Sequence, residues 1–424
     1  MKVAVIGAGW AGCAAAVEAT RLGHQVTLFE AARSAGGRAR RVEAMLAGQP
    51  LALDNGQHIL IGAYTQSLRL MKDVGVDVDA ALLRLPLTLQ FPGGSGLRFP
   101  RLPAPLDALA GILGARGWSW AERLSLLKVA IGWQLKGFQC APMQSVADLC
   151  QDLAPGAFAA LIEPLCVSAL NTPAGRASGQ VFLRVLRDAL FLETGGSNLL
   201  LPRADLSALL PDAALAWLAA QGGTVRLGAR VQQLLPADGA GWVVSTDGQS
   251  TFDRALLACP PLEAARLVEG AGVPAAAWLS ATRQLQHEAL TTVYLHAPGA
   301  RLDQPMLALP ATPEFPAQFV FDRGQLGGPA GLLAFVVSAS VGDGATLTRQ
   351  VLAQAGRQLG LGRLETLQTI VEKRATFACT PGLQRPPAPV APGLLACGDY
   401  IDGPYPATLE GAVRSGLEAA RSLH

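Results

Sequence analysis

Charge is scarce in this chain of 424 residues: only 16% are Asp, Glu, Lys or Arg, against 50% hydrophobic, and mean hydropathy is +0.31. The 34 basic and 32 acidic residues nearly cancel to a net +2, so no strong attraction to nucleic acid is implied. Long hydrophobic runs are missing as well. No stretch of about 18 uncharged apolar residues occurs, so a transmembrane helix is not expected. Cysteine offers no framework either: Cys13, Cys140, Cys150, Cys166, Cys259, Cys379 and Cys397 are odd in number, scattered and free of any CxxC pair. They read as small buried residues of a reducing cytoplasm, not as disulfides or a metal site. The five histidines show no metal-ligand spacing, so no metal is expected. A secretory leader is not apparent, because Met1-Lys2 runs straight into an apolar segment. The length suits two or three compact units.

What is present organises itself around the amino terminus. Val3-Ala4-Val5-Ile6 is followed at once by Gly7-Ala8-Gly9-Trp10-Ala11-Gly12 and an alanine-rich helical segment, the order of strand, turn and helix in a dinucleotide fingerprint. Gly7 permits the turn, Gly9 lets the backbone approach a pyrophosphate, and Gly12 lets the helix pack close to the strand. The phosphates would then sit on unpaired N–H groups at a helix N-terminus. The helix should end at Leu22-Gly23, and residues 25–29 read as a second strand delivering Glu30, 18 residues beyond Gly12, where an acid accepts ribose hydroxyls. A carboxylate there disfavours NADP, whose phosphate it would repel, and leaves NAD and FAD. Gly36-Gly37-Arg38 leans toward the longer cofactor, since it adds a second close backbone approach and a cation. Glycines of this kind can also shape a plain turn, but strand, helix, second strand and terminal acid occur with them here.

Downstream, Asp54-Asn55-Gly56-Gln57-His58 sets polar groups around a flexible glycine. That suits a loop facing a bound ring, and equally an Asn-Gly turn beside a hydrogen-bonded core histidine. Pro86, Pro92, Pro100, Pro103 and Pro105 break up the next stretch. A helical segment follows with Trp118, Trp120, Leu124, Leu127, Ile131, Trp133, Leu135 and Phe138, interspersed with Arg123, Lys128 and Lys136. Such a helix fits a membrane interface or a place inside its own domain, and residues 105–138 are the candidate membrane-contacting part. Residues 145–195 read as helical, with breakers at Pro155-Gly156, Pro164 and Pro173; Cys166 and Asn171 could line a channel or simply pack. A helix is expected over 206–221, a strand near 224–228, a hairpin over 242–252 and a strand over 255–258. Residues 290–295, 317–321, 332–338 and 370–377 are strand-like and 346–359 helical; such an apolar sheet could roof a lipid cavity or form an ordinary core. Finally, residues 393–397 form a buried-type strand running into Gly398-Asp399. Pro404-Tyr405-Pro406 is a rigid loop, and residues 407–416 are a small-residue helix whose N-terminal dipole can stabilise negative charge on a reduced ring.

The glycine fingerprint, an acid, five residues and Gly36-Gly37-Arg38 together resemble the extended amino-terminal signature of the flavin amine oxidase and carotenoid desaturase superfamily. Asp54-Asn55-Gly56-Gln57-His58 followed by Leu60-Ile61-Gly62-Ala63-Tyr64 looks like the matching stretch of its squalene-associated, FAD-dependent branch, the hydroxysqualene dehydroxylases. The likeness spans nearly the whole chain and is densest at residues 1–64 and 393–416. It implies an α/β fold (α+β overall): a Rossmann-like FAD-binding domain of the glutathione-reductase and amine-oxidase type, and a discontinuous substrate domain of mixed sheet plus helices. Residues 1–75, 196–264 and 385–424 would build the first; 76–195 and 265–384 the second. FAD contacts are expected from Gly7, Gly9, Ala11, Gly12, Glu30, Gly37, Arg38, Gly56, Gln57, His58, Val231, Gly398, Asp399, Thr408, Leu409, Gly411 and Ala412. The reaction implied is reduction of hydroxysqualene to squalene, in which a hydride arrives as the allylic hydroxyl departs. It needs a proton donor and a dry cavity for a C30 isoprenoid. His58 is the expected acid and Asp54 its orienter, with Tyr405, Tyr64 and Asp402 as further candidates. The rivals are a carotenoid-type desaturase and a non-catalytic isoprenoid carrier of the same fold. An amine oxidase is disfavoured because Lys2, Lys72, Lys128, Lys136 and Lys373 all lie outside the candidate loops. With no second glycine fingerprint for NADPH, an unidentified electron donor is expected, along with peripheral contact at the inner face of the cytoplasmic membrane.

Overall fold

Val3 and Val5 are fully buried on one side and Ala4 on the other because Lys2–Ile6 is an interior strand. The computed structural model describes residues 1–192 and 195–423; residues 193, 194 and 424, which fall within the expected domain spans, lie outside the described residues. The six-stranded sheet runs in the order Thr224–Leu227, Gln25–Glu30, Lys2–Ile6, Arg254–Leu257, Leu394–Ala396, Pro389–Ala391. All neighbours pair in parallel except the last two, which are antiparallel. Strand alternation divides the sheet between two covers. Val3, Val5 and Leu256 pack with the alanines of helix Trp10–Arg21 and with Ala419 and Ala420 of helix Leu409–Arg421. Ala4, Ile6, Ala255 and Leu257 pack with Trp242 and Val244 of a three-stranded antiparallel sheet, Gln233–Pro236, Trp242–Ser245 and Gln249–Phe252. The two helices touch closely enough that a Cβ on Gly416 would lie 2.2 Å from the Ala11 carbonyl oxygen, which is how the last element of the chain meets the first.

A second sheet of five strands has the order Met306–Ala308, Phe319–Asp322, Leu332–Ser338, His287–His296, Glu365–Phe377. One face, with Val293, Val320, Phe335 and Val337, is sealed by Leu347, Val351 and Ala355 of helix Gly344–Leu359. The other, with Leu290, Phe319, Phe321 and Val336, lines a cavity. The strand expected at 370–377 is longer, Glu365–Phe377, because it pairs along the whole of His287–His296 and bends through two register shifts.

Several local expectations are corrected. Pro155 opens a helical path as its first residue instead of breaking it, and Pro164 sits within that path. The π-turn Phe158–Ile162 precedes Pro164 and absorbs its missing N–H. The helix expected over 206–221 is two, Leu206–Leu209 and Pro211–Ala220, parted at Leu210 before the proline. Among the described residues, no helix is long and apolar enough to cross a membrane.

Candidate active site

The turn after Lys2–Ile6 is shaped by contacts only glycine tolerates. Gly7 has φ +114° and donates its N–H to Phe29 O at 2.7 Å; a Cβ on it would lie 2.6 Å from Ala258 O. A Cβ on Gly12 would lie 1.8 Å from Gly7 O, so this glycine serves helix-to-turn packing and does not line the cavity. Gly9 caps helix Trp10–Arg21, and a Cβ added to it meets no atom within 4 Å: the space in front of it is open cavity. Glu30, at the end of the second strand, accepts from Ala8 N at 2.7 Å and Ala32 N at 2.8 Å, which holds its carboxylate against the turn. Gly36 N donates to Ala8 O at 2.8 Å, tying the Gly36-Gly37 loop to the same turn. Arg38 forms an ion pair with Asp399 and donates to Ala375 O at 2.9 Å, so one cation joins both ends of the chain.

These elements surround a cavity of about 600 Å³. Of the expected cofactor residues, Gly7, Gly9, Ala11, Glu30, Gly37, Arg38, Gln57, His58, Val231, Gly398, Asp399, Thr408, Leu409 and Ala412 line it. Gly12, Gly56 and Gly411 do not. Gly411 is needed because a Cβ there would stand 1.8 Å from Tyr405 O; it seats the helix on its own loop and gives no room to a ring. The cavity's chemistry fits a flavin dinucleotide: glycine-exposed amides at a helix N-terminus, an acid at the strand end, and at the far end a second helix N-terminus capped by Thr408 Oγ1 on Gly411 N at 2.9 Å. Tyr400, which also lines it, has a buried hydroxyl with no hydrogen-bond partner among the described residues, a group that a bound ligand would satisfy.

Asp54 is not the orienter of His58. Its Oδ1 accepts from Leu206 N at 2.8 Å and its backbone is bonded to the Tyr294 hydroxyl, so it is a structural carboxylate beneath the loop, pushed up to about 6 by burial despite Arg323 nearby. His58 instead faces the Gly56 carbonyl through Nδ1 at 2.9 Å. Burial, aided by the Arg38 charge, lowers its pKa, which keeps the imidazole neutral at pH 7 and makes it a poor standing proton donor. Asp402 is also removed from the site, since its exposed side chain pairs with Arg385. Of the two channel candidates, Asn171 lines the polar cavity, while Cys166 is fully buried with Sγ on Thr172 O.

A second, apolar cavity adjoins the first and shares Gln57, Ile59, Tyr64, Ser168, Ala169, Leu290, Ser338 and Thr408 with it. Tyr405 lines this apolar side, not the polar one, and its hydroxyl donates to Asp188 Oδ2 at 2.7 Å. Sequence reasoning passed over Asp188. The available signal was an acid set three residues beyond Val185 within an otherwise apolar helical stripe that includes Phe182 and Ala189. Helices Leu106–Leu113 and Trp120–Leu135 wall the cavity with Ala108, Ile112, Leu126, Ala130 and Trp133. Their other sides leave Leu106, Leu109, Leu113, Trp120, Leu124, Ile131 and Leu135 exposed, Trp120 at 64% and Leu135 at 83%. Trp133 and Phe138 of the same segment point inward and line the cavity.

A cleft lined by both chain ends, with glycine-exposed amides at a helix N-terminus and an apolar cavity adjoining it, fits a flavoprotein oxidoreductase. The chain belongs to the flavin-containing amine oxidoreductases, whose family model matches residues 10–424. Hydroxysqualene dehydroxylase of Rhodopseudomonas palustris is 28% identical to it and that of Sinorhizobium fredii 26%, each over 99% of this chain and 97% of the relative. Among solved structures, an oxidoreductase from Methanosarcina mazei superposes with a TM-score of 0.74 over 100% of both chains at 19% identity, which speaks for the fold.

Proposed function

We propose that this protein uses FAD to remove the hydroxyl group of hydroxysqualene reductively, yielding squalene. The observation that carries the reading is the junction of the two cavities: a polar cleft suited to the dinucleotide opens directly onto an apolar chamber suited to an isoprenoid chain. The full-length likeness to hydroxysqualene dehydroxylases supports the substrate. Gly7, Gly9 and Ala11 would hold the pyrophosphate, Glu30 a ribose and Val231 the adenine. Arg38, Asp399 and the Thr408–Ala412 turn would hold the flavin half. When bound and reduced, the flavin supplies a hydride. The chain's part is to bind the alcohol, keep water from the reacting carbon and hold its hydroxyl while the C–O bond breaks. Residues 1–75, 196–264 and 385–424 supply most of the cofactor's cleft in this account, and 76–195 and 265–384 most of the lipid chamber, with side chains such as Tyr405 and Asn171 crossing the division.

The two helices that wall the apolar chamber carry large apolar side chains on both sides, a pattern solvent does not reward. The outward stripe, flanked by Arg116, Arg123, Lys128 and Lys136, suits an anionic lipid surface from which an isoprenoid could enter the chamber between the helices. Anaerobic incubation of the photoreduced protein with hydroxysqualene tests the activity: squalene and oxidised flavin should appear in equal amounts, and recovery of the alcohol unchanged would overturn it.

A further inference from the structure

Among the described residues, one carboxylate interrupts the largely hydrocarbon lining of the apolar cavity. Asp188 is 2% exposed and opens the π-turn Asp188–Leu192, a local geometry that concentrates at functional positions. Its Oδ1 accepts from Arg187 Nε at 2.9 Å and its Oδ2 from the Tyr405 hydroxyl at 2.7 Å. Packed hydrocarbon in the same place would serve stability as well or better, because desolvating a buried ion pair offsets most of its attraction. A carboxylate at this place in the cavity wall is available to a polar group of a ligand.

Hydrogen-bond accounting says which kind. Tyr405 commits its one proton to Asp188, and Arg187 occupies the opposite oxygen, so lone pairs on the Tyr405 oxygen and on Oδ2 are what the pair offers the cavity. Acceptors without a free donor hold an O–H group. Of the other polar residues lining the apolar cavity, Gln57, Tyr64, Ser168, Ser338 and Thr408 belong to the junction with the polar cleft, and Ser197, a lone hydroxyl, is on the apolar side alone. Tyr405 stands three residues before Thr408, and its carbonyl accepts from Thr408 Oγ1 at 2.9 Å, which sets the pair beside that junction.

The geometry points to the Asp188–Tyr405 pair as the seat for the substrate's hydroxyl group, orienting an isoprenoid alcohol and distinguishing it from the hydrocarbon of equal length. This rests on the reading above for the identity of the alcohol. Flavin-loaded wild type, Tyr405→Phe and the double variant Asp188→Leu/Tyr405→Phe are titrated with hydroxysqualene and with squalene in the same detergent, followed by flavin absorbance. Wild type should prefer the alcohol by about tenfold, the factor one charge-assisted hydrogen bond confers. The double variant should bind both lipids alike with squalene affinity unchanged, and Tyr405→Phe should lose at least a threefold share of the preference. A wild type that does not distinguish the two, or a double variant that still does, overturns the seat. Should the double variant fail to fold, an undiminished preference in Tyr405→Phe overturns it. A wild type that selects the alcohol but forms no squalene when photoreduced sinks the reductive reading and leaves the seat standing.

Discussion

Alanine in place of Gly12, which is not itself a lining residue, probes the grip on the cofactor through the turn behind it. Its Cβ would stand 1.8 Å from the Gly7 carbonyl oxygen, 2.9 Å from the carbonyl carbon and 3.1 Å from Ala258 Cβ. Non-bonded carbon and oxygen rest at about 3.4 Å, so on the order of 1.5 Å of relief is needed. The obstructing atom is backbone, and it cannot swing aside. Gly7 N is bonded to Phe29 O at 2.7 Å, and the turn is backed by Ala258 O, 2.6 Å from where a Gly7 Cβ would be. Helix Trp10–Arg21 must therefore lift off the strand, which would carry its first N–H groups away from the proposed pyrophosphate site. Overpacking costs about 1–3 kcal/mol of stability. Losing two charge-assisted hydrogen bonds of about 1.5–3 kcal/mol each weakens flavin binding by about 10²–10⁴-fold. Calorimetric titration of the flavin-free protein with FAD reads this out, with circular dichroism to verify the fold. Gly9→Ala is the companion: its Cβ meets nothing within 4 Å, so the flavin-free Tm should hold while affinity falls. A Gly12→Ala protein that binds FAD as tightly as wild type refutes the reasoning.

His58→Gln should retain turnover within a few-fold at pH 7, because the imidazole is already neutral there; a drop of about 100-fold or more, the scale of a lost general acid, would restore His58 as proton donor. Asp54 titrates near 6 when folded against 3.8 as a free side chain. Its raised value means the stability it contributes is complete below about pH 4 and lost as pH rises through 6, roughly 3 kcal/mol in all. Asp54→Asn should flatten the fall in Tm across that window, and an unchanged slope would show that the carboxylate is not its source. Replacing Trp120, Leu124, Ile131 and Leu135 together by serine should release the protein from anionic vesicles in sedimentation while flavin content stays the same; undiminished sedimentation would remove the lipid-facing role of this stripe.

The strand–turn–helix geometry around Gly7 was legible because its constraints are local. Gly7, Gly9, Gly12 and Glu30 lie within one strand–turn–helix–strand unit, where spacing alone dictates geometry, and Gly398-Asp399 repeats that logic at the other terminus. Gly411 was misread: close approach to its own loop and close approach to a ring demand the same residue. Asp54 and His58 look like an acid–base pair in sequence, but the Leu206 amide, 152 residues further along, claims the carboxylate. Asp188 escaped notice because its partner Tyr405 is 217 residues away and only the fold brings them together. Leu106, Leu109 and Leu113 lie in the segment 105–138 named as the candidate membrane-contacting part, but the split between an outward and a cavity-facing side shows only in the fold.

Product identity from an anaerobic single turnover tests the account most directly. Photoreduced, FAD-loaded protein mixed with hydroxysqualene should convert the alcohol to squalene, with one flavin oxidised for each molecule formed. Flavin that stays reduced in the presence of the alcohol, together with oxidised protein that desaturates squalene or a carotene, would contradict it.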